Sequence, residues 1–155
     1  MDRQYYKVVR RPENFVEKYP EYVSQSSMVF ELKYRPDEWT KAIEGTGVLV
    51  HYLDDDGLFE LARFFRHDPF AVFKVSVEDE VQMPSKRIIS SGYSAIVDNW
   101  VYRSGILGEA EDLIAEFWAN EKLNVKTSTW PIHSKAFIRV KLVKEVNYEE
   151  VLHNI

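Results

Sequence analysis

Clustered carboxylates are the first feature of this sequence that could do chemistry. One group follows an apolar segment that resembles a buried strand, and the other recurs at the spacing of one helical face. Their members are Asp54, Asp56, Glu109, Asp112 and Glu116. Such oxygen ligands hold hard cations like Mg²⁺, and a bound cation can activate water against a phosphate-containing substrate. The competing interpretation is structural, because an Asp before a helix caps it and acidic residues on an exposed helical face are solvated.

Basic residues are concentrated near the two ends of the chain. Residues 1–35 carry a net charge of +2 and residues 122–155 carry +3, whereas residues 36–121 carry −10, within a total of −5. Because the termini of a domain often lie close together, strands near the two ends are expected to be neighbours and to share an anion-binding surface. The candidate residues of that surface are Lys7, Arg10, Arg11, Lys135, Phe137, Arg139, Lys141 and Lys144.

The segment 136–143 contains the aromatic member of this set. Side chains of a strand alternate between two faces, which predicts that Phe137, Arg139 and Lys141 point outward. An exposed ring between cations suits single-stranded nucleic acid, because rings stack on bases and cations meet phosphates. Two observations oppose this function. Cations on the exposed face of a strand also prevent edge-to-edge aggregation, and the net charge is acidic, whereas a dedicated nucleic-acid-binding domain is usually basic.

Other kinds of reactive site have no signature in the sequence. The chain contains no Cys, which excludes disulfides, thiol catalysis, zinc–thiolate sites and iron–sulfur clusters. Gly45 and Gly47 precede a strand instead of joining a strand to a helix, so they do not form a phosphate-binding loop. No Ser lies in a Gly-x-Ser-x-Gly turn. His51 lies within an apolar segment, where it is either a hydrogen-bonded core residue or part of a site at a strand end. No cofactor is expected.

The composition is that of one globular domain spanning residues 1–155. Apolar residues make up 45% of the chain and charged residues 29%, and 155 residues are enough for a single sizeable core. The aromatic content of 14% is high, which indicates either a dense core or a stacking surface. The longest apolar runs have a few residues, whereas a membrane span needs about twenty, and the beginning of the chain does not resemble a signal peptide. A cytoplasmic location without membrane contact is the default expectation.

Periodicity predicts the elements that would position these residues. Strands are expected at 5–9, 28–34, 47–53, 70–77, 86–89, 94–102, 125–130 and 136–143. Helices are expected after Pro12, from Arg35 to Gly45, from Leu58 to Arg66, after Gly108 and at 148–152. Strands and helices mix without regular alternation. This order predicts an α+β domain in which a mixed, largely antiparallel sheet of about five to seven strands carries three or four packed helices.

The leading functional hypothesis is a non-catalytic intracellular binding or regulatory module. It would present a basic, aromatic-containing strand surface to nucleic acid or to an acidic protein. The alternative is a small metal-dependent hydrolase or transferase that uses the carboxylates described above. A third hypothesis is self-association, because an exposed aromatic surface also suits the interface of a homodimer.

Overall fold

A computed structural model of the chain describes residues 3–24, 32–52, 69–85, 87–88, 118–119, 127–128 and 133–153. Within these residues, seven strands form one sheet and two short strands form another, and all strand pairs are antiparallel. The strands are β1 (Tyr5–Arg10), β2 (Tyr22–Ser24), β3 (Lys33–Tyr34), β4 (Trp39–Lys41), β5 (Val48–Tyr52), β6 (Phe70–Val81), β7 (Arg87–Ile88), β8 (Thr127–Ser128) and β9 (Ser134–Val146), and helix α1 spans Tyr148–His153.

The larger sheet closes into a barrel. Strand β1 pairs with β6 along its whole length and with β5 at its start, and β9 likewise pairs with both β6 and β5. At the other end of the barrel, β2 and β3 extend the sheet from β1, and β4 extends it from β9. The Thr40 hydroxyl donates a 3.0 Å hydrogen bond to the Lys33 carbonyl, which joins β4 to β3. The strands therefore enclose one interior.

Apolar side chains fill the interior and also cover part of the outside. The inner cluster includes Val9, Val50 and Val140, each fully buried. A second cluster lies on the outer face of β1 and β6, where Val151 of α1 covers Val8. Strand β1 is therefore buried on both faces, and its β-branched residues suit that position because they pack well on a pleated sheet.

The predicted α+β fold with three or four packed helices is wrong. Most of the described residues are in strands, and α1 is the only helix whose bounds lie within the described ranges. The helix expected after Pro12 is replaced by two separate turns, in which the N–H groups of Phe15 and Tyr19 donate to the carbonyls of Pro12 and Val16. Phe15 packs on the inner cluster and against the Tyr22 ring without a helix, and a helix this short is marginal on local preference alone.

The helix expected from Arg35 to Gly45 is replaced by strand β4. Asp37 has a φ of 66°, which is outside the right-handed helical region, and its N–H donates a 2.8 Å hydrogen bond to the Leu142 carbonyl. Trp39 then pairs with Lys141 of β9. Pairing with a long neighbouring strand has overridden a local helical preference, which is a weak determinant by itself.

Several predicted elements are confirmed. Strands occur at 5–9, 70–77 and 136–143, although β6 and β9 are longer than predicted, and the strand expected at 47–53 is β5. Helix α1 is also confirmed, and its first turn is capped by Asn147, whose side-chain oxygen accepts a 2.8 Å hydrogen bond from the N–H of Glu150. The elements predicted at 58–66 and 94–102 lie outside the described residues. So does the helix predicted after Gly108, apart from Trp118 and Ala119, which are helical.

Candidate functional site

The eight basic and aromatic residues predicted to form one anion-binding surface do not lie together. Strands β1 and β9, which carry them, are not neighbours, because β6 separates them on one side and β5 on the other. Helix α1 does pack on β1, because Val151 and Val8 belong to one cluster, but this contact does not make β1 and β9 an adjacent strand pair. The predicted surface required strands from the two ends of the chain to be neighbours, and β1 and β9 are not.

Lys7 is inside the barrel and unavailable to a partner. It is only 9% exposed, and its Nζ donates a 2.8 Å hydrogen bond to the Leu49 carbonyl. The Tyr34 ring lies beside it, with its centroid 5.5 Å from Nζ. Within the described residues Lys7 has no carboxylate partner. Burial lowers the pKa of Lys7 to about 8, because an apolar environment disfavours the charged form.

Phe137 is also inside the barrel, so the prediction that it is exposed is wrong. Its ring is 6% exposed and packs edge-on against Tyr5, with centroids 5.2 Å apart. Val140 and Leu142 belong to the same inner cluster as Phe137, although strict alternation would put positions 137 and 140 on opposite faces. The regular alternation of β9 is therefore interrupted between these two residues.

The interruption coincides with two changes around β9. On one edge its partner changes from β5, which ends its pairing at Phe137, to β4, which begins at Arg139. On the other edge, Asp79 of β6 has a φ of 61° and lies between the residues paired with Phe137 and Arg139. Backbone irregularities of this kind re-aim side chains in a sheet, which explains why the sequence alternation misplaced Phe137.

Three of the predicted cations are held by carboxylates. Arg11 pairs with Glu145 at 2.8 Å, Lys144 pairs with Glu150 at 3.1 Å, and Arg139 pairs with Asp79 at 3.5 Å. Of the remaining three, Arg10 and Lys135 are half-buried on separate strands, and Lys141 lies beside the Trp39 ring. These contacts neutralise much of the positive charge that the sequence had assigned to one surface.

The structure instead brings four residues together on the outside of β4 and β9. Trp39 is directly opposite Lys141, and Lys41 is opposite Arg139. Residues paired in this way share one face of a sheet. We call this surface the Trp39 face, and its members are Trp39, Lys41, Arg139 and Lys141.

The Trp39 face is open to solvent. Thr40 pairs with Val140, which is fully buried in the barrel core, so the residues on either side of this pair project outward. Trp39 is 42% exposed, and the Nζ of Lys141 lies 5.0 Å from its ring centroid. Within the described residues, Lys41 and Lys141 have no ion pair with a carboxylate. The face therefore combines an accessible indole with two cations that can meet an anion.

Sequence reasoning found Arg139 and Lys141 but missed the aromatic residue beside them, Trp39. The segment that contains Trp39 was expected to be a helix, whereas Trp39 lies on an edge strand of three residues. The only available signal was the alternation of Trp39 and Lys41 with the smaller Thr40 and Ala42, of which Ala42 is buried. An alternation over four residues is too short to identify a strand without knowledge of its neighbour.

A second aromatic group closes one end of the barrel. The Arg3 guanidinium lies 3.8 Å from the centroid of the Tyr52 ring, and the centroid of the His133 ring lies 4.3 Å from the same point, with the two rings tilted by 30°. Tyr5 contacts Tyr52 edge-on at 6.4 Å. His51, on the outer side of β5, is buried with its Nδ1 3.3 Å from the Ser134 hydroxyl. The Tyr52 ring is therefore engaged by Arg3, Tyr5 and His133.

The carboxylates of the metal-site hypothesis, Asp54, Asp56, Glu109, Asp112 and Glu116, lie outside the described residues. Among the residues that are described, no group of three or more His, Asp or Glu side chains is arranged to hold a metal ion. In the same part of the chain, no helix has the length and hydropathy that crossing a membrane requires.

No family model matches the chain, and the comparisons with curated proteins and with solved structures found no significant similarity either.

Proposed function

We propose that this protein is a non-catalytic intracellular binding module that binds single-stranded nucleic acid through the Trp39 face. The observation that carries the proposal is the exposed indole of Trp39 in register with Lys141 and beside Lys41 on an outward strand surface. Single strands are bound by this combination, since a base stacks on the ring while neighbouring phosphates meet the cations.

The geometry favours a single strand over a duplex. Bases in a duplex are already stacked and paired, so a ring on a strand surface has no base face to contact. The indole and cations of the Trp39 face lie on two neighbouring strands about 4.8 Å apart, and they are bordered on β6 by Ser76 and Glu78, which pair with Lys141 and Arg139. The face therefore suits one or two nucleotides with their flanking phosphates, and such recognition depends little on base identity.

The charge pattern predicts modest, salt-dependent affinity. The whole chain carries −5, so attraction comes from the local face rather than from the overall field. Arg139 is engaged by Asp79, which leaves Lys41 and Lys141 for phosphates. Each phosphate neutralised on a single strand contributes a slope of about −0.7 to the dependence of log affinity on log salt. A slope of about −1.4 is therefore expected.

Replacement of Trp39 tests the proposal. We expect Trp39→Ala to weaken binding of a short single-stranded oligonucleotide by roughly 5- to 100-fold, because stacking on one ring is worth about 1–3 kcal/mol per base. The oligonucleotide carries a fluorescent label, so that anisotropy reports binding without relying on the protein's four Trp residues. Lys141→Gln should weaken binding less and reduce the magnitude of the salt slope by about 0.7.

Tyr19→Ala provides a matched control. Tyr19 is 75% exposed and has the Nζ of Lys18 6.0 Å from its ring centroid, so it is another accessible ring beside a lysine, outside the Trp39 face. Its replacement should leave affinity unchanged. Equal losses for Tyr19→Ala and Trp39→Ala, or wild-type binding that neither variant affects, would refute the assignment. Binding of an acidic peptide but not of oligonucleotides would indicate that the Trp39 face binds a protein partner.

A further inference from the structure

Asp79 is an unusual residue at the border of the Trp39 face. It lies inside strand β6, yet its φ is 61°, in the left-handed region that residues other than Gly rarely adopt. Its carboxylate is 3.5 Å from the guanidinium of Arg139, and the two side chains are 63% and 41% exposed. A residue held in this conformation within a strand is often part of a functional site.

The position of Asp79 follows from the interrupted pairing of β6 with β9. On either side of it, Glu78 pairs with Arg139 and Glu80 pairs with Phe137. Arg139 projects outward on the Trp39 face, where its guanidinium would be the third cation available to a partner. The Asp79 carboxylate instead occupies the place where an incoming phosphate would bind that guanidinium.

We propose that Asp79 competes with the ligand for Arg139 and thereby sets the class of anion that the Trp39 face accepts. This inference rests on the proposed function, since it concerns the same site. To engage Arg139, a ligand must displace the carboxylate and tolerate its negative charge nearby. An oligonucleotide can do so because stacking on Trp39 and contacts with Lys41 and Lys141 hold the next phosphate in place. An isolated mononucleotide lacks that additional attachment.

The selectivity follows from effective concentration. Once a base is stacked and one phosphate is bound, the adjacent phosphate of the same strand is held near Arg139 at an effective concentration in the millimolar range. Because an exposed ion pair is weak, a phosphate held at this effective concentration displaces the Asp79 carboxylate from Arg139. Asp79 thus acts as a specificity-determining residue that favours chains of phosphates over single anions.

Asp79→Asn tests the inference because it removes the charge and keeps the shape. Asn adopts the left-handed conformation at least as readily as Asp, so the fold is expected to be retained. We expect Asp79→Asn to raise affinity for a labelled oligonucleotide about two- to fivefold at low salt, the range that loss of one exposed ion pair supports. The magnitude of the salt slope should increase by about 0.7, because in wild type the phosphate at Arg139 only replaces the Asp79 carboxylate, whereas in the variant it neutralises an unpaired cation.

Three further variants complete the experiment. In the Arg139→Gln background the gain from Asp79→Asn should largely disappear, because the competition requires the guanidinium. Glu78→Gln removes the same charge from the residue paired with Arg139 across β6 and β9 and should give a smaller gain, which separates competition for the guanidinium from general repulsion. If Asp79→Asn fails to fold, Asp79→Gly replaces it, since Gly adopts positive φ without steric cost.

The outcomes separate this inference from the proposed function. If wild-type protein shows no binding that depends on Trp39, the proposed function fails, whatever Asp79 does. If Trp39-dependent binding is present but Asp79→Asn leaves affinity and salt slope unchanged, the proposed function stands and the competition is refuted. An equal gain for Glu78→Gln and Asp79→Asn would likewise refute it.

Discussion

Lys7→Met is expected to alter the pH dependence of stability more than replacement of an exposed lysine does. Burial lowers the pKa of Lys7 from its ordinary value of 10.5 to about 8. A difference of this size between the unfolded and folded protein corresponds to about 3 kcal/mol of cost for keeping the ammonium in the barrel. Met keeps the length and apolar character of the side chain and carries no charge. Against this gain, the Leu49 carbonyl loses its hydrogen bond, which costs about 1–3 kcal/mol.

The sign of the pH effect follows from proton binding. Between the folded-state pKa of about 8 and the unfolded-state value, the unfolded chain binds a proton that the folded chain does not. Stability therefore rises with pH in this window. Below it the cost of the buried ammonium is fully present, and above it the cost is gone. From pH 7 to about pH 9.5, the wild-type protein should gain about 2 kcal/mol relative to Lys7→Met.

Urea unfolding of both proteins across this pH range measures the difference. Buried tyrosines act in the opposite direction at higher pH, because burial raises the pKa of Tyr34 and of Tyr22, but they are common to both proteins and cancel in the comparison. Lys33→Met, at a side chain that is 73% exposed, controls for removal of one cation from the surface. Parallel stability curves for wild type and Lys7→Met would show that the Lys7 ammonium carries no burial cost.

The role of Lys7 illustrates what the sequence could not reveal about the site. A lysine in a strand that otherwise reads Tyr-Tyr-Val-Val is expected to project outward. It points inward because strand side chains alternate and Tyr5 and Val9, two positions away on either side, contact the inner cluster. Strand β1 leaves β5 after Tyr6 and joins β2 from Val9 onward. The Leu49 carbonyl is left beside this divergence, and the amine of Lys7 reaches it. The buried position of the Lys7 amine is explained by its contact with Leu49, which is 42 positions away in the sequence.

The fold was predictable where one long periodic segment determines its own conformation. The segments that became β6 and β9 are rich in β-branched residues, and their conformation as strands needs little outside information. The segment around Trp39 has no such pattern, and it is a strand because β9 lies next to it. The candidate site depends on β4, whose conformation is set by the neighbouring strand β9. Arg139 and Lys141 were therefore identified as candidate residues, whereas the face they share and the Trp39 ring on it were not.

Gly47→Ala is expected to destabilise the barrel although it adds only one methyl group. A Cβ at this position would lie 2.5 Å from Cγ2 of Val81 and 2.9 Å from Cβ of Ala136. The Ala136 Cβ is attached directly to the backbone of β9, so this contact is not relieved by a rotamer change. Overpacking of this kind costs about 1–3 kcal/mol, which for a domain of this size lowers Tm by roughly 2–4 °C per kcal/mol.

The cost has a structural origin at the junction of three strands. Gly47 immediately precedes β5, whose first residue pairs with Phe137, and the end of β6 closes the junction because Val81 pairs with Ala136. Glycine is needed here for close approach of the three backbones. Its neighbour Gly45 is needed for a different reason, namely its φ of 83°.

A double-mutant cycle with Val81→Ala tests whether steric crowding at this junction causes the loss. Val81→Ala removes the atom nearest to the added Cβ, so Gly47→Ala should cost about 1 kcal/mol less in that background than in wild type. Thermal unfolding followed by circular dichroism measures all four proteins. The contact with Ala136 remains in the double variant, and part of the loss should therefore persist. A Gly47→Ala protein as stable as wild type would contradict the packing of β5, β6 and β9 at this junction, and with it the closure of the barrel on which the orientation of the Trp39 face depends.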